Sequence, residues 1–569
     1  MNHVYRLVWN ADFGRWLVAP ETAKRHGKPS SVARVAAHRG QGGWSGSRRR
    51  AADMPPPWRW KATALGCLLA LPPLFVPTMV GAQIVTDGRT QTTVATQGAV
   101  THVTTDTVRG ANAFNSFQSF SVGQGHTANL HLPHGTANLI NLVRDQRTTV
   151  DGILNSIRNG QIGGNVFFAN PHGFLVSASG VVNVGSLALS TPTPAFIGGF
   201  FTGPGNPNDA AVGQLLSGTA PRNLGAQISI QGQVNAIDGV ALSAGAIDVG
   251  GSVFSGARFV GSAPDFSDVV NANQIASASN VVVREGRIEI VADGDVTVSG
   301  TLATPGGPGV RGGDIRIRAG GDVDLQAGAH IVARGNGLDS AGGIIDIWAD
   351  RDAIARTGAL VDASAGSSGD GGFIEFSARE NIELAGGQFV AKAPNGQLGT
   401  VLIDPINVNV SANFYSGGAH HTIIASENIT VDPNIVVSTR NVAGGAAANQ
   451  ETALSLGNSG NLTLEAPTIN LKSGSKLLAH ANSGFTGGDV TLQATRHWTG
   501  LARISVDNAT ITGRNVNLSA SASYIDPWLA AILPIVVPVT ISNIDINSGK
   551  ITAAGSLDIE AKSHINAAS

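Results

Sequence analysis

The sequence predicts an all-β protein folded as a right-handed parallel β-helix, a solenoid in which short strands stack coil upon coil. Three observations predict this fold. The chain has 73 glycines among 569 residues, with 42% apolar and only 13% charged residues, which suits many short strands joined by tight turns. Short alternating segments recur about every thirty residues after residue 280, and glycine pairs precede three of them.

The recurring segment is a six-residue strand with alternating isoleucines, first seen at Arg287–Ala292. Its later copies are Asp314–Ala319, Ile344–Ala349 and Phe373–Ala378, with looser copies at Asn461–Leu464, Asp489–Leu492 and Asn515–Leu518. Two further short strands follow within a repeat, as at Asp322–Leu325 and His330–Ala333. Three strands with glycine-rich corners describe one coil, so residues 281–569 are predicted to form a β-helix repeat region.

Charge is distributed unevenly along the chain. Residues 1–61 contain 12 Lys and Arg against 3 Asp and Glu, whereas the remainder contains 25 against 36. The mildly acidic body argues against nucleic acid as a partner, because phosphate binding needs a basic face. The only cysteine is Cys67 near the N-terminus. The body therefore has no thiol for a disulfide, a thiolate zinc site or a cysteine nucleophile.

Residues 62–82 are uncharged and apolar, and they follow a basic segment. Prolines at positions 72, 73 and 77 break any membrane-spanning helix, so this stretch is predicted to be a Sec signal peptide. The small residues before Gln83 predict that signal peptidase cuts between Ala82 and Gln83. Residues 28–57, rich in Gly, Arg, Ser and Pro, are interpreted as a flexible spacer.

An unusual segment precedes the spacer. Residues 2–27 resemble the extended signal peptide region of very large exported bacterial proteins, through Tyr5–Asn10, Trp16–Ala19 and Lys24–Gly27. Residues 1–27 are therefore assigned to an extended signal peptide region, and residues 28–82 to the spacer and Sec signal.

Three stretches after Gln83 resemble the amino-terminal domain of two-partner secretion exoproteins, the filamentous haemagglutinin family. They are Phe114–Val122, Ala137–Val143 and Asn165–Phe174, the last continuing through Val181–Leu187. The resemblance implies a haemagglutination-activity or secretion domain over residues 83–280, a capping domain decorated with hairpins in front of the solenoid. One departure is Asn170-Pro171-His172-Gly173-Phe174, where the family usually has Asn-Pro-Asn/Gln-Gly-Ile.

The same resemblance implies a route and a set of partners. After the Sec machinery and signal peptidase, an outer-membrane transporter with POTRA domains and a barrel would bind this domain in the periplasm of a Gram-negative bacterium. It would then thread the chain to the cell surface. The residues implied in transporter recognition are Asn138, Asn141, Asn170, Pro171, His172, Gly173 and Phe174. A structural interpretation of Asn170–Phe174 stays open beside this one: a tight turn with Gly173 at positive φ that starts a coil.

Two groups of residues are candidates for chemistry. If the repeats stack in register, Glu289, Arg316, Asp346 and Glu375 form an outward row spaced about 4.8 Å apart. Asp346 beside Glu375 would then be the best paired-carboxylate catalyst. We favour a solvated face partly neutralised by Arg316, because no aromatic or basic substrate platform is recognised around the pair.

Three histidines, His126, His131 and His134, lie close together in sequence, but their spacing fits no common metal signature. No Gly-x-Ser-x-Gly elbow, phosphate loop or HExxH motif is present. We therefore predict no catalytic residue, no metal ligand and no cofactor, and we expect the protein not to be an enzyme.

The predicted function is that of a secreted, adhesin-like surface exoprotein that binds a glycan or protein receptor on host or neighbouring cells. Two alternatives remain: the secretion and stalk portion of a contact-dependent inhibition or cytolytic exoprotein, and a polysaccharide-active β-helix enzyme. The apolar stretch 528–540 is too short to span a bilayer and is interpreted as a packed excursion or cap.

Overall fold

The structure is a computed structural model in which the chain divides into two compact units, residues 1–79 and 80–569. It describes residues 5–10, 15–20, 83–259, 281–283, 285–442, 451–497, 501–523 and 541–564. In the first unit the described residues form an antiparallel hairpin of β1 (Tyr5–Asn10) and β2 (Arg15–Pro20). The spacer, the Sec segment with Ala82, and the stretch 528–540 lie outside the described residues.

In the second unit the elements up to residue 259 include two short helices among twenty strands. They are β3 (Gln83–Thr86), β4 (Thr92–Gln97), β5 (Val100–Thr105), β6 (Val108–Arg109), β7 (Asn112–Val122), β8 (Thr127–His131), β9 (Asn138–Val143), β10 (Thr148–Val150), β11 (Ile153–Arg158), β12 (Gln161–Ile162), β13 (Asn165–Ala169), β14 (Phe174–Val176), β15 (Val181–Ser190), α1 (Pro194–Gly198), β16 (Phe201–Gly203), β17 (Asn206–Pro207), α2 (Asp209–Leu216), β18 (Gln227–Ile230), β19 (Gln233–Ala244), β20 (Ala246–Val249), β21 (Ser252–Ser255) and β22 (Ala257–Phe259).

The remaining described elements are all strands. They are β23 (Val281–Val283), β24 (Arg287–Ala292), β25 (Val296–Val298), β26 (Thr301–Ala303), β27 (Asp314–Ala319), β28 (Val323–Leu325), β29 (His330–Val332), β30 (Ile344–Ala349), β31 (Ala353–Arg356), β32 (Leu360–Asp362), β33 (Phe373–Ala378), β34 (Asn381–Ala385), β35 (Gln388–Val390), β36 (Thr400–Asp404), β37 (Asn407–Val410), β38 (Phe414–Tyr415), β39 (His420–Ile424), β40 (Asn428–Val431), β41 (Val436–Ser438), β42 (Leu462–Glu465), β43 (Thr468–Leu471), β44 (Lys476–Leu478), β45 (Val490–His497), β46 (Leu501–Asp507), β47 (Thr510–Gly513), β48 (Val516–Ser523), β49 (Ile541–Asn547), β50 (Lys550–Ala553) and β51 (Leu557–His564).

Each coil of the repeats contributes three strands, and across the first four coils every strand pairs in parallel with its equivalent in the neighbouring coil. The first strands of four successive coils are β24, β27, β30 and β33, and the other two columns stack in the same way. Ile288, Ile315, Ile345 and Ile374 lie opposite one another along the first column. This confirms the predicted parallel β-helix and the register of its four clearest repeats.

Alternation along each strand decides what is buried. In β27, Ile315, Ile317 and Ala319 point into the coil and are at most 2% exposed, while the residues that alternate with them point outwards. Each buried isoleucine contributes about 1.5–3 kcal/mol, so one coil gains several such contributions. The glycine pairs lie at the corners, where the backbones of neighbouring coils approach too closely for a side chain. A Cβ on Gly342 would clash with the carbonyl oxygen of Ala363. A side chain at such a corner would hold two coils apart.

The thirty-residue period fails between residues 400 and 461. Two coils in this interval were not predicted, one of β36, β37 and β38 and one of β39, β40 and β41. His420 pairs with Thr400, only 20 residues earlier, and Leu462 pairs with His421, 41 residues earlier. The corner loops differ in length while the strands keep their register, so a search by constant spacing misses these coils.

The part before residue 260 is more elaborate. Antiparallel pairs β3–β7, β4–β5, β6–β7, β11–β12 and β16–β17 accompany its parallel coils, as the predicted hairpin-decorated domain requires. Helices α1 and α2 were not predicted. Thr193 and Asn208 cap them by accepting hydrogen bonds from backbone N–H groups. They close a second apolar cluster in which Phe114, Phe200 and Val212 are buried.

Among the described residues, the strands of these first coils pair directly with those of the repeats. The second half of β15 pairs with β19, and β19 pairs in register with β24, so that Val240 lies opposite Ile288. No helix in the described ranges is long and apolar enough to cross a membrane.

Candidate functional site

The segment Asn170–Phe174 forms a tight turn at the start of a coil. The Asn170 side chain is fully buried; its Oδ1 accepts a hydrogen bond from the N–H of His172 at 2.8 Å. Its Nδ2 donates to the carbonyl oxygen of Gln146 at 2.8 Å and to Thr148 Oγ1 at 2.9 Å. Asn170 therefore ties the turn to the preceding coil, and replacing it would leave the buried Thr148 hydroxyl without this partner.

Gly173 has the predicted positive φ, at 93°. A Cβ there would also clash with the carbonyl oxygen of Gln227, so both the backbone conformation and the close approach require glycine. Phe174 is 2% exposed and packs edge-on against Phe168, with ring centroids 5.3 Å apart. Pro171 is buried as well.

His172 is the exposed residue of this turn. Its Nε2 lies 2.8 Å from the carbonyl oxygen of Arg144, which keeps the imidazole on the surface of the previous coil. A partner that touches the folded turn would meet His172, because the other four residues of Asn170–Phe174 are buried.

Asn138 and Asn141 belong to ladders of side-chain amides that run from coil to coil. Asn138 donates to Asn112 Oδ1 at 2.8 Å and accepts from Asn165 at 2.9 Å. Asn141 is fully buried; it accepts from Asn115 at 3.0 Å and donates to the carbonyl oxygen of Phe167 at 3.2 Å. In the folded domain these amides hold the coils together.

A longer ladder was missed by the sequence reasoning. Asn129, Asn155, Asn183 and Asn235 hydrogen bond in series, with N–O distances of 3.1, 2.9 and 2.9 Å, and all four are buried. The signal for it is present in the sequence, since successive members are 26, 28 and 52 residues apart and occupy equivalent strand positions. Asparagine ladders of this kind lock strand register through directional bonds.

The three clustered histidines do not converge. His131 instead lies against His102 of the neighbouring strand, with Nδ1 of His102 2.9 Å from Nε2 of His131. Burial, followed by the charge of His102, lowers the pKa of His131. Over the described residues, no group of three or more His, Cys, Asp or Glu side chains is placed to hold a metal ion.

The outward row of charges is arranged as predicted. Glu289, Arg316, Asp346 and Glu375 lie opposite one another on four successive coils. Arg316 Nε is 3.4 Å from the Asp346 carboxylate, and Arg318 binds the same carboxylate with its guanidinium group. Asp346 is thus held between two arginines, which is an ion-paired arrangement rather than a free catalytic carboxylate pair.

One premise about this row was wrong. The structure supplies an aromatic side chain beside it, since Trp348 is the next outward residue of β30 after Asp346 and lies opposite Arg318. The indole N–H of Trp348 donates to Asp350 Oδ1 at 2.8 Å. The side chain was overlooked because Trp348 was counted only as a member of the repeated strand.

Comparison with known proteins agrees with these features. The extended signal peptide of the type V secretion system matches residues 1–47, and the TPS secretion domain matches residues 82–336, running from the expected cleavage position into the repeats. Among solved structures, the chain is similar to the crystal structure of the HMW1 secretion domain from Haemophilus influenzae. The sequence identity is 14% and the TM-score 0.35, over 84% of this chain and 99% of that chain. No curated protein matches the sequence.

The two family matches establish the export route at a coarse level. The two domains indicate a protein that is secreted across the outer membrane of a Gram-negative bacterium, and the secretion domain implies an outer-membrane transporter as partner. With an extended signal peptide at its start and a secretion domain that leads directly into a parallel β-helix, the chain is a two-partner secretion exoprotein.

Proposed function

We propose that this exoprotein is an adhesin whose N-terminal domain is both the secretion signal and the nucleus on which the β-helix assembles. The observation that carries the proposal is the continuous parallel pairing from β15 through β19 into β24. We assign residues 83–280 to the secretion domain and residues 281–569 to the surface-exposed repeats.

Nucleation follows from what β19 offers to the next strand. Val240 and Leu242 point into the coil and lie opposite Ile288 and Ile290 of β24. A chain emerging from the transporter could add β24 to a strand edge that is already ordered. Burial of each isoleucine would stabilise the new coil by about 1.5–3 kcal/mol. Repeating this step coil by coil would favour outward movement, because each folded coil opposes retreat through the pore.

The recognition residues divide by role in this proposal. Asn138, Asn141, Asn170 and Phe174 act by holding the first coils and the turn in shape. His172 supplies an exposed contact at the turn. The transporter with POTRA domains would then bind a surface whose geometry depends on the buried amides.

An adhesive role is supported by the character of the outer face. Its charges are largely paired between coils, as between Asp324 and Arg356 at 2.8 Å and between Arg351 and Asp322 at 3.0 Å. Asp346 is likewise engaged by arginines and Glu375 by Ser377. Such a face presents fixed donors and acceptors to a receptor on host or neighbouring cells, a glycan or a protein, and favours binding over catalysis.

Secretion and adhesion can be tested with one set of variants. Asn170→Ala should lower the amount of secreted protein severalfold, because it removes the bond to the Gln146 carbonyl and leaves the buried Thr148 hydroxyl without this partner. Asn407→Ala, which removes an exposed amide in the repeats, is the matched control and should be secreted normally. Immunoblots of culture medium and periplasm measure both.

Deleting the partner transporter should trap the chain in the periplasm. Secreted protein should bind host or neighbouring cells, and a protein that neither adheres to cells nor supports adhesion by the producing bacterium would refute the adhesin role. Equal secretion of the two variants would refute the role of the turn.

A further inference from the structure

A depression of about 410 Å³ lies on the outer surface where the loop between α2 and β18 meets the corners of the first repeats. Its principal lining residues are Arg222, Asp293, Arg318, Gly320, Trp348 and Asp350. Its volume falls within the range of small-molecule sites, about 300–1,000 Å³. It belongs neither to the turn at Asn170 nor to the buried ladders.

The depression exists because one coil lacks a side chain at its corner. Asp293, Gly320 and Asp350 follow Ala292, Ala319 and Ala349, which are aligned on three successive coils. With strands about 4.8 Å apart, the outer two corners stand roughly 10 Å apart across Gly320. A Cβ on Gly320 would clash with the carbonyl oxygen of Asp293, so close backbone packing keeps this gap open.

Paired charges form the first wall. Arg222 Nε donates to Asp293 Oδ2 at 2.7 Å, and Nη2 of the same residue lies 2.5 Å from Oδ1. This two-point contact spans 71 residues and pins the loop after α2 onto the repeats. A guanidinium and a carboxylate that are already paired have fixed orientations, so their remaining donor and acceptor positions point in set directions.

The opposite wall is aromatic. Trp348 is partly exposed, and its N–H bond to Asp350 fixes the indole against rotation. Asp350 is held in turn by Arg379, whose Nη2 donates at 3.1 Å. A tryptophan held in this way presents an apolar ring beside carboxylate acceptors, which suits a ligand with apolar and hydroxylated faces.

We propose that this depression binds a neutral sugar unit of a glycan. The C–H face of a pyranose ring would pack on Trp348, and its hydroxyl groups would donate to the Asp350 and Asp293 carboxylates and accept from Arg222. The two arginines and two aspartates of the lining cancel in charge. That balance disfavours anionic sugars, because the attraction of an anion to the arginines would be offset by its repulsion from the aspartates.

This inference rests on the proposed adhesive function and names its receptor class. The two can fail separately. Glycan binding by the secreted protein without adhesion to cells would refute the adhesin and leave the site, whereas adhesion that survives loss of Trp348 would refute the site and leave the adhesin.

The test uses the secreted protein on an array of neutral, sialylated and sulfated oligosaccharides, followed by titration of the strongest neutral binder. Neutral glycans should be retained. Trp348→Ala should weaken that binding about tenfold or more, as truncation of an aromatic anchor does. Trp348→Phe should restore part of the affinity, since it keeps a stacking ring. Binding confined to sialylated or sulfated glycans, or no binding, would overturn the proposal.

Two further variants separate the site from the fold. Phe485→Ala removes an aromatic side chain that is 44% exposed several coils further along, and it should leave the affinity unchanged. Asp350→Asn keeps the shape of the wall but removes its charge, and it should weaken binding severalfold with an unchanged circular dichroism spectrum. If Trp348→Ala and Phe485→Ala have the same affinity as the unmodified protein, the site is refuted.

Discussion

The secretion domain and the repeats both consist of stacked coils, but the interiors of the two regions differ. In the secretion domain, amides such as Asn141 and Asn155 are buried and bonded from coil to coil. In the repeats the equivalent strands bury isoleucine, valine and alanine, as at Ile317 and Ile347. Apolar contacts tolerate a shift of two residues, because the same face stays buried, whereas an amide ladder does not. The amide ladders therefore fix the register of the first coils more strictly than apolar packing fixes that of the repeats.

Both regions also contain a stack of aromatic rings in the interior, and the two stacks end in different residues. Phe117, Phe120, Phe168 and Phe174 stack through the secretion domain with centroids 5.1–5.3 Å apart. A second stack in the repeats runs through Phe376, Phe389 and Phe414 and ends on His421. The second stack thus places a titratable ring in an apolar interior.

The largest effect should come from His421. It is fully buried, neither ring nitrogen has a hydrogen-bond partner among the described residues, and burial lowers its pKa to about 3. Its pKa in the unfolded chain is about 6.5, so on acidification the unfolded chain takes up the proton before the folded chain does. The free energy of unfolding therefore keeps its full value above pH 6.5 and decreases as the pH falls towards 3. The loss should be on the order of 4 kcal/mol over that interval.

Denaturant unfolding of the secreted protein at pH 7 and pH 4 measures this loss. His421→Leu should remove the part of the acid destabilisation that belongs to this coil, while carboxylates elsewhere titrate as before. If the variant and the unmodified protein lose the same free energy of unfolding between the two pH values, the histidine is not responsible.

An intermediate effect should separate buried from exposed ladders. Asn155→Ala leaves Asn129 Oδ1 and Asn183 Nδ2 without partners in the interior, and should destabilise the secretion domain by about 2–4 kcal/mol. Asn407 stands in the same position within an exposed ladder, between Asn381 and Asn428. Because water replaces its bonds, Asn407→Ala should cost less than about 1 kcal/mol.

Hydrogen exchange of the amides in the affected coils measures both values. Comparable destabilisation by the two substitutions would show that ladder position, rather than burial, decides the energy, and would remove the contrast between the two regions.

The smallest effect should come from the charges on the outside of the repeats. Arg514 binds Asp489 at 2.8 and 2.7 Å, and this hydrogen bonding lowers the pKa of the Asp489 carboxyl. Any stability from the pair is present above the ordinary pKa of an aspartate and is lost as the pH falls through the lowered value. Arg514→Gln should change the free energy of unfolding by less than about 1 kcal/mol, because both groups are accessible to water.

Unfolding in low and high salt checks this expectation. The small difference should shrink further as salt screens the pair. A difference of several kcal/mol would mean that outward charges stabilise the coils as strongly as inward amides.

Much of the fold could be predicted because it depends on local pattern. Alternation in β24, β27, β30 and β33, with glycine pairs at the corners, was sufficient to place Ile288 opposite Ile315. The positive φ of Gly173 followed from its neighbours in the turn. The candidate site was less predictable. The roles of Asn155 and Arg222 depend on partners 26 and 71 residues away, and no short segment contains both members of either pair.

The sequence by itself determined the strand period, the corners and the direction of each side chain, because all three are properties of a few consecutive residues. The tertiary structure alone decided which polar groups meet. Loop lengths place His131 against His102 and the loop after α2 against Asp293. They also place Gly320 between the corners that carry Asp293 and Asp350. Those lengths vary from coil to coil, so the contacts between coils are decided only when the coils stack.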